Sequence, residues 1–178
     1  MWPVTSSKVV YSNPWISVRE DQVVRPDGTP GIFGVMTVRN ESVFVVALTE
    51  DDRVWMVTVD RHTTGKSLEL PAGGSDGQDP LVAAQRELAE ETGLQAEDWR
   101  RIGGMNALNG VVIAPEHVFL ATGLSPASEL LEQDAEGIIS AEALPWAEVM
   151  RRVRDGRITD GESIAALLFA ALELGRVH

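Results

Sequence analysis

From Lys8 to Leu48 the chain keeps the short rhythm of β-structure. Lys8-Val9-Val10-Tyr11 and the run from Trp15 to Val24 are rich in β-branched and aromatic residues. Pro26-Asp27-Gly28-Thr29 has turn chemistry, and Ile32 to Val38 resumes an extended run. Val43-Phe44-Val45-Val46-Ala47-Leu48 is apolar throughout, the pattern of a strand covered on both faces. Glu50-Asp51-Asp52 turns the chain into a further strand from Val54 to Val59. The rhythm changes at Asp79-Pro80. Asp at a helix cap accepts a backbone N–H, and Pro at the first helical position gives up only an N–H that lacks an intrahelical partner. The predicted helix runs from Leu81 to Thr92 and stops at Gly93, a residue at ease in the left-handed C-cap conformation. Leu81, Ala84 and Leu88 fall on one stripe that is predicted to face the core. Val118 to Ala121 and Ile138-Ile139 read as strands. Pro145 to Gly175 reads as two helices, broken by Asp155-Gly156 and Asp160-Gly161. Strands, one mid-chain helix and terminal helices predict a mixed α/β sandwich rather than a doubly wound sheet.

Composition narrows the classes of function. The 178 residues suit one compact domain with a small appendage, and 44% apolar content is ordinary for a globular protein. No run approaches the roughly 20 apolar residues of a membrane span, and the N-terminal residues lack the pattern of a secretory leader. The absence of cysteine removes disulfide frameworks, thiolate zinc sites and cysteine nucleophiles together, and fits a cytoplasmic setting. The formal charge of −12, from 27 acidic against 15 basic residues, disfavours nucleic acid and anionic membranes as partners. It also repels a phosphorylated small molecule unless a cation neutralises the site.

The stretch Arg86-Glu87-Leu88-Ala89-Glu90-Glu91-Thr92-Gly93-Leu94 carries the chemistry. Glu87, Glu90 and Glu91 stand at i, i+3 and i+4, so three carboxylates share one helix face, expected opposite the apolar stripe. Like charges at that spacing destabilise an isolated helix, whereas a hard divalent cation such as Mg²⁺ turns the repulsion into coordination. A solvated acidic face is the bland alternative. His62, His117 and His178 show no ligand spacing, so a histidine metal site is not expected. Trp55 and Phe119, within strands, read as core.

This stretch resembles the second half of the box of the Nudix hydrolases, Arg-Glu-aliphatic-x-Glu-Glu-x-Gly-aliphatic, without a mismatch. The first half departs from the family in two ways: Gln78 stands where the box has Glu, and four residues instead of five separate it from Gly73. Either Ala72 takes the glycine slot or the loop is one residue shorter. Leu68-Glu69-Leu70-Pro71-Ala72-Gly73 resembles the segment before the box in the ADP-ribose pyrophosphatase branch. Asn13-Pro14-Trp15 and Pro26-Asp27-Gly28 resemble its N-terminal β-hairpin region, and the segments at 155–160 and 163–167 its C-terminal helices. The loop from Met105 to Glu116 lacks the Ser-Pro-Gly pattern of many ADP-ribose enzymes.

The resemblance implies a Nudix-type α/β/α sandwich with a mixed sheet at 41–178, and a small N-terminal β-hairpin region at 1–40 that dimerises. It implies a Mg²⁺-dependent (or Mn²⁺-dependent) hydrolase that cuts the diphosphate link of ADP-ribose or a related nucleoside diphosphate sugar. A GDP-mannose preference and a catalytically silent nucleotide-binding sensor are the alternatives. Glu87 and Glu91 are then direct metal ligands, Glu90 supports them or binds a second ion, and the carbonyl of Ala72 is a further ligand. Arg86 orients the glutamates, and Gln78 accepts a hydrogen bond from it. In the acidic loop 132–137, Glu136 fits an additional metal ligand and Asp134 a water-activating base. Arg61 and Glu69 hold the substrate. Trp15 and Trp2 are expected at the dimer edge.

Overall fold

The computed structural model describes residues 1–127 and 137–177. In chain order the first strands are β1 (Val4–Ser12), β2 (Ile16–Val24), β3 (Pro30–Val38), β4 (Ser42–Ala47), β5 (Arg53–Arg61), β6 (Gly65–Glu69) and β7 (Ala72–Gly74). Then come α1 (Pro80–Thr92), β8 (Leu94–Asn106), β9 (Val112–Ile113), β10 (Pro115–Pro126) and β11 (Ile138–Pro145). Two helices, α2 (Trp146–Arg154) and α3 (Gly161–Glu173), close the described chain. The described strands form three sheets, ordered β1-β2-β3-β9, β7-β4-β10-β8 and β11-β5-β6. The second is mixed, because β10 runs parallel to β4 and antiparallel to β8.

The apolar run at 43–48 is the centre of the molecule. Successive side chains of a strand point to opposite faces. Val43, Val45 and Ala47 pack with Ala84 and Leu88 of α1 on one face. Val46 and Leu48 pack with Met56, Val149 and the α3 residues Ala166, Leu167 and Ala170 on the other. This is the expected α/β/α sandwich.

Helix α1 forms where its caps require. Asp79 accepts from the Leu81 N–H at 2.9 Å, Pro80 occupies the first position, and Gly93 closes the helix at φ +70°. Ala84 and Leu88 are fully buried. The sequence pattern did not predict β8. Its 13 residues include Glu97, Asp98, Arg100 and Arg101, poor strand formers taken alone, yet it is zipped to β10 from Leu94 to Asn106. Tertiary pairing overrides propensity there. The short β6 and β7 were missed for the same reason: both exist by pairing, β6 with β5 and β7 with β4.

The N-terminal sheet joins the sandwich through residues 39–41. Arg39 anchors the turn between β1 and β2, with its Nε donating to the Asn13 carbonyl (2.8 Å) and its N–H to the Trp15 carbonyl (2.9 Å).

Leu88→Ala removes a fully buried side chain between α1 and β4. Urea denaturation is expected to show a loss of about 2–5 kcal/mol. A loss below about 1 kcal/mol would contradict the packing described.

Candidate functional site

The acids of α1 do not stand opposite the apolar stripe. Glu87 and Glu91 border Leu88 on the inward side and are only 2% and 3% exposed, while Glu90 lies at the rim. The acids crowd together on the helix as expected, but two of them turn inward instead of towards water. At 100° per residue, positions 87 and 91 fall beside position 88, under β7 rather than in water.

Gly73 makes that burial possible. A Cβ on Gly73 would fall 2.1 Å from Oε1 of Glu87, so the carboxylate occupies the space a side chain would take. Gly73 is therefore the residue whose missing side chain the buried Glu87 requires. Ala72 meets the site through its backbone: its N–H donates to Oε2 of Glu91 at 2.9 Å.

Arg86 draws this cradle together. One terminal nitrogen lies 2.7 Å from Oε2 of Glu90; the other donates to the Gly74 carbonyl at 2.8 Å and lies 2.8 Å from Oε1 of Glu87. Its Nε donates to Oε1 of Gln78 at 3.3 Å, as expected, and Asp76 lies 3.7 Å away. Burial works against the Arg86 charge, but Glu87 and Glu90 outweigh it and raise its pKa.

A second group of charges adjoins the first. Arg61 ends β5 and grips the buried Glu69 with both Nε (3.2 Å) and a terminal nitrogen (2.6 Å). The hydrogen bond to Glu69 raises the Arg61 pKa, and Glu91 and Asp160 add to it. Ser163 on α3 accepts from the Leu70 N–H at 2.9 Å, which draws the start of α3 to the end of β6. Asp160 and Glu162 arrive with it, facing Glu116 on β10. Glu116 is 6% exposed, and among the described residues one of its carboxylate oxygens has no hydrogen-bond partner. Burial, then the fields of Glu162 and Asp160, push its pKa up to about 7. Burial and a hydrogen bond with Asp160 raise Glu162 as well.

The structure thus brings together Arg61, Glu69, Ala72, Arg86, Glu87, Glu90 and Glu91. Asp134 and Glu136 lie outside the described residues. Asp160 and Glu162 were not expected at the site; Asp160-Gly161 had read only as a helix break. Nothing in the spacing of 116, 160 and 162 announces that β10 and α3 bring them together.

Among the described residues, no three His, Cys, Asp or Glu side chains form a ready cage for a cation. Glu87 and Glu90 lie against Arg86, and Glu91 against the Ala72 N–H. The donor set nevertheless fits a hard ion: several carboxylate oxygens and a glycine-lined strand within one cradle, suited to Mg²⁺, which keeps part of its own water shell.

The raised Glu116 pKa has a direction in stability. In the folded chain the group holds its proton up to about pH 7, against 4.5 for an ordinary Glu. Its stabilising contribution is therefore complete below pH 4.5 and is lost as pH rises to about 7. Glu116→Gln is expected to flatten the fall of the melting temperature across that window and to raise it at pH 8. An unchanged pH profile would refute the assignment.

Two family models match end to end: the nucleoside diphosphate sugar hydrolase N-terminal domain at residues 2–36 and the NUDIX domain at 38–167. An ADP-ribose pyrophosphatase of Mycobacterium tuberculosis is 35% identical over 92% of this chain and 80% of its own length. A CMP-5'-(N-acetyl-N-hydroxy-3-aminopropyl)phosphonate hydrolase of Streptomyces rubellomurinus is 29% identical over 98% and 84%. Among solved structures, an ADP compounds hydrolase superposes with a TM-score of 0.85 at 21% identity, over 99% of this chain and 97% of that one. With its glutamate helix set in a glycine-lined cradle and its NUDIX match spanning most of the sandwich, this chain belongs to the Nudix family.

Proposed function

We propose that this chain is a divalent-metal-dependent hydrolase of nucleoside diphosphate sugars, with ADP-ribose as its leading substrate. It releases a nucleoside monophosphate and a sugar phosphate. The observation that carries the reading is the burial of Glu87 and Glu91 beneath Gly73, with Arg86 closing the cradle. The M. tuberculosis relative's activity supports the choice of substrate.

In this reading Glu87, Glu91 and the carbonyl of Ala72 hold the ion, which is Mg²⁺ or Mn²⁺, and Glu90 supports them. A cation held there would supply charge neutralisation for the diphosphate and lower the pKa of a bound water. Arg86 fixes the rotamers of Glu87 and Glu90. Arg61, held flat against Glu69, lies beside Glu91 and offers its remaining N–H groups to the substrate. Glu136 is assigned as a further ligand and Asp134 as the base that takes the proton from the attacking water.

Incubation with Mg²⁺ and a panel of ADP-ribose, other nucleoside diphosphate sugars, dinucleoside polyphosphates and nucleoside triphosphates tests the activity. Turnover is expected for ADP-ribose or a near relative, and Glu91→Gln should lower kcat by about 10²-fold or more. Tight ligand binding without turnover of any member would point to a silent sensor instead.

We further infer a division at residue 40, with 1–40 serving association and 41–178 the reaction, and a homodimer in a cytoplasmic setting. Strand β1 is exposed along its whole length, and Val9, Val10 and Tyr11 present apolar surface on a sheet edge. An edge of that kind invites pairing with another chain. Trp15, 70% exposed at the β1–β2 turn, extends the same surface. Among the described residues no helix is long and apolar enough to cross a membrane. Light scattering at micromolar concentration should give the mass of two chains, and Val9→Lys should shift it towards one. A wild-type monomer would refute the association.

A further inference from the structure

Gln78 meets Arg86 without a charge, and the loop before it carries a carboxylate, Asp76. The carboxylates around Arg86 are Glu87 at 2.8 Å, Glu90 at 2.7 Å and Asp76 at 3.7 Å. The first two are also the groups assigned above to the cation, so guanidinium and metal compete for the same oxygens. Asp76 is the one of the three that stands outside α1.

Its placement is built. Asp76 adopts φ +50°, a left-handed conformation that Asp tolerates better than most residues but at some cost. Asn40 donates from Nδ2 to Oδ1 of Asp76 at 2.9 Å, while the other oxygen, Oδ2, lies nearer Arg86. The Ser75 N–H donates to the Glu41 carbonyl at 2.7 Å, and the Gln78 N–H to the Ser75 carbonyl at 2.8 Å, so the loop is tied on both sides of Asp76. Glu41 is itself fixed by its contact with His117 at 2.7 Å. A side chain 68% exposed, as that of Asp76 is, would otherwise sample many rotamers in water.

We propose that Asp76, held by Asn40, is a positioning residue that supplies Arg86 with the negative charge Gln78 lacks and so frees Glu87 and Glu90 for a divalent cation. This rests on the metal reading above. When the two glutamates turn their charge to the ion, Arg86 keeps a carboxylate partner instead of facing the cation uncompensated.

Free Mn²⁺, counted by its electron paramagnetic resonance signal against the full-length protein, reads binding without turnover. Asp76→Asn is expected to weaken Mn²⁺ binding about two- to fivefold, the range for a partly exposed ion pair. Asn40→Ala should fall between it and wild type. Gln78→Glu placed in either variant should restore the wild-type affinity, whereas a loss of fold would not be repaired by that change. Thermal melting without metal checks that each variant folds; should Asp76→Asn fail, Asn40→Ala with and without Gln78→Glu carries the same comparison. Wild-type affinity in Asp76→Asn, or a loss that Gln78→Glu leaves in place, overturns the proposal while the metal reading stands. A wild-type chain that takes up no Mn²⁺ overturns both.

Discussion

Carboxylates withdrawn from water must be given compensating charge or hydrogen bonds, and the centre of this fold is arranged around that requirement. Taking an ion into a protein interior costs several kcal/mol even after relaxation. Glu87 and Glu91 are nonetheless nearly inaccessible. Arg86 answers for the first and the Ala72 N–H for the second. Both answers need β7 close to α1, and that approach needs a residue without a side chain at position 73. β7 in turn reaches its place by pairing with β4, the strand that both cores share. The constraint therefore runs from a helix face to a glycine, and from the glycine to the order of the central sheet.

Legibility in the sequence followed the range of the interactions. Helix α1 could be bounded because its cap, its proline and its terminal glycine act within a few residues. The six apolar residues at 43–48 likewise announced a strand covered on both faces. What failed was whatever depended on pairing across the chain. β8 has the composition of a loop and is a strand because β10 lies beside it. The inward turn of Glu87 and Glu91 departs from the expectation for a related reason: polarity alone favours water, and the glycine strand above them makes burial tolerable. Asp160 and Glu162 come to Glu116 through the Leu70–Ser163 hydrogen bond, which joins residues 93 apart.

Three consecutive residues bind the N-terminal sheet to the site. Arg39 holds the β1–β2 turn, Asn40 holds Asp76, and Glu41 holds both the Ser75 N–H and His117. Because these residues are covalent neighbours, a shift of the N-terminal turn that displaced Arg39 would pull on the loop entering α1. Trp15 sits on that turn. Any partner that engages the exposed edge of β1 thus acts on a segment tied to the cradle of Arg86 by a short chain of hydrogen bonds.

The charge balance shows what a bound metal would add that the two arginines do not. Arg61 is clasped by Glu69, and Arg86 by Glu87 and Glu90. Each guanidinium already faces at least one carboxylate, so neither brings net positive charge to an incoming diphosphate. Around them stand Glu91, Glu116, Asp160 and Glu162, within a chain of formal charge −12. A diphosphate entering these surroundings without a cation meets repulsion from several sides. A divalent ion among the glutamates would offset much of that negative charge, and the same carboxylates that repel the substrate would be the groups that hold the ion. The acidity that argues against phosphate at the level of composition would then, at the level of the site, make phosphate binding conditional on metal.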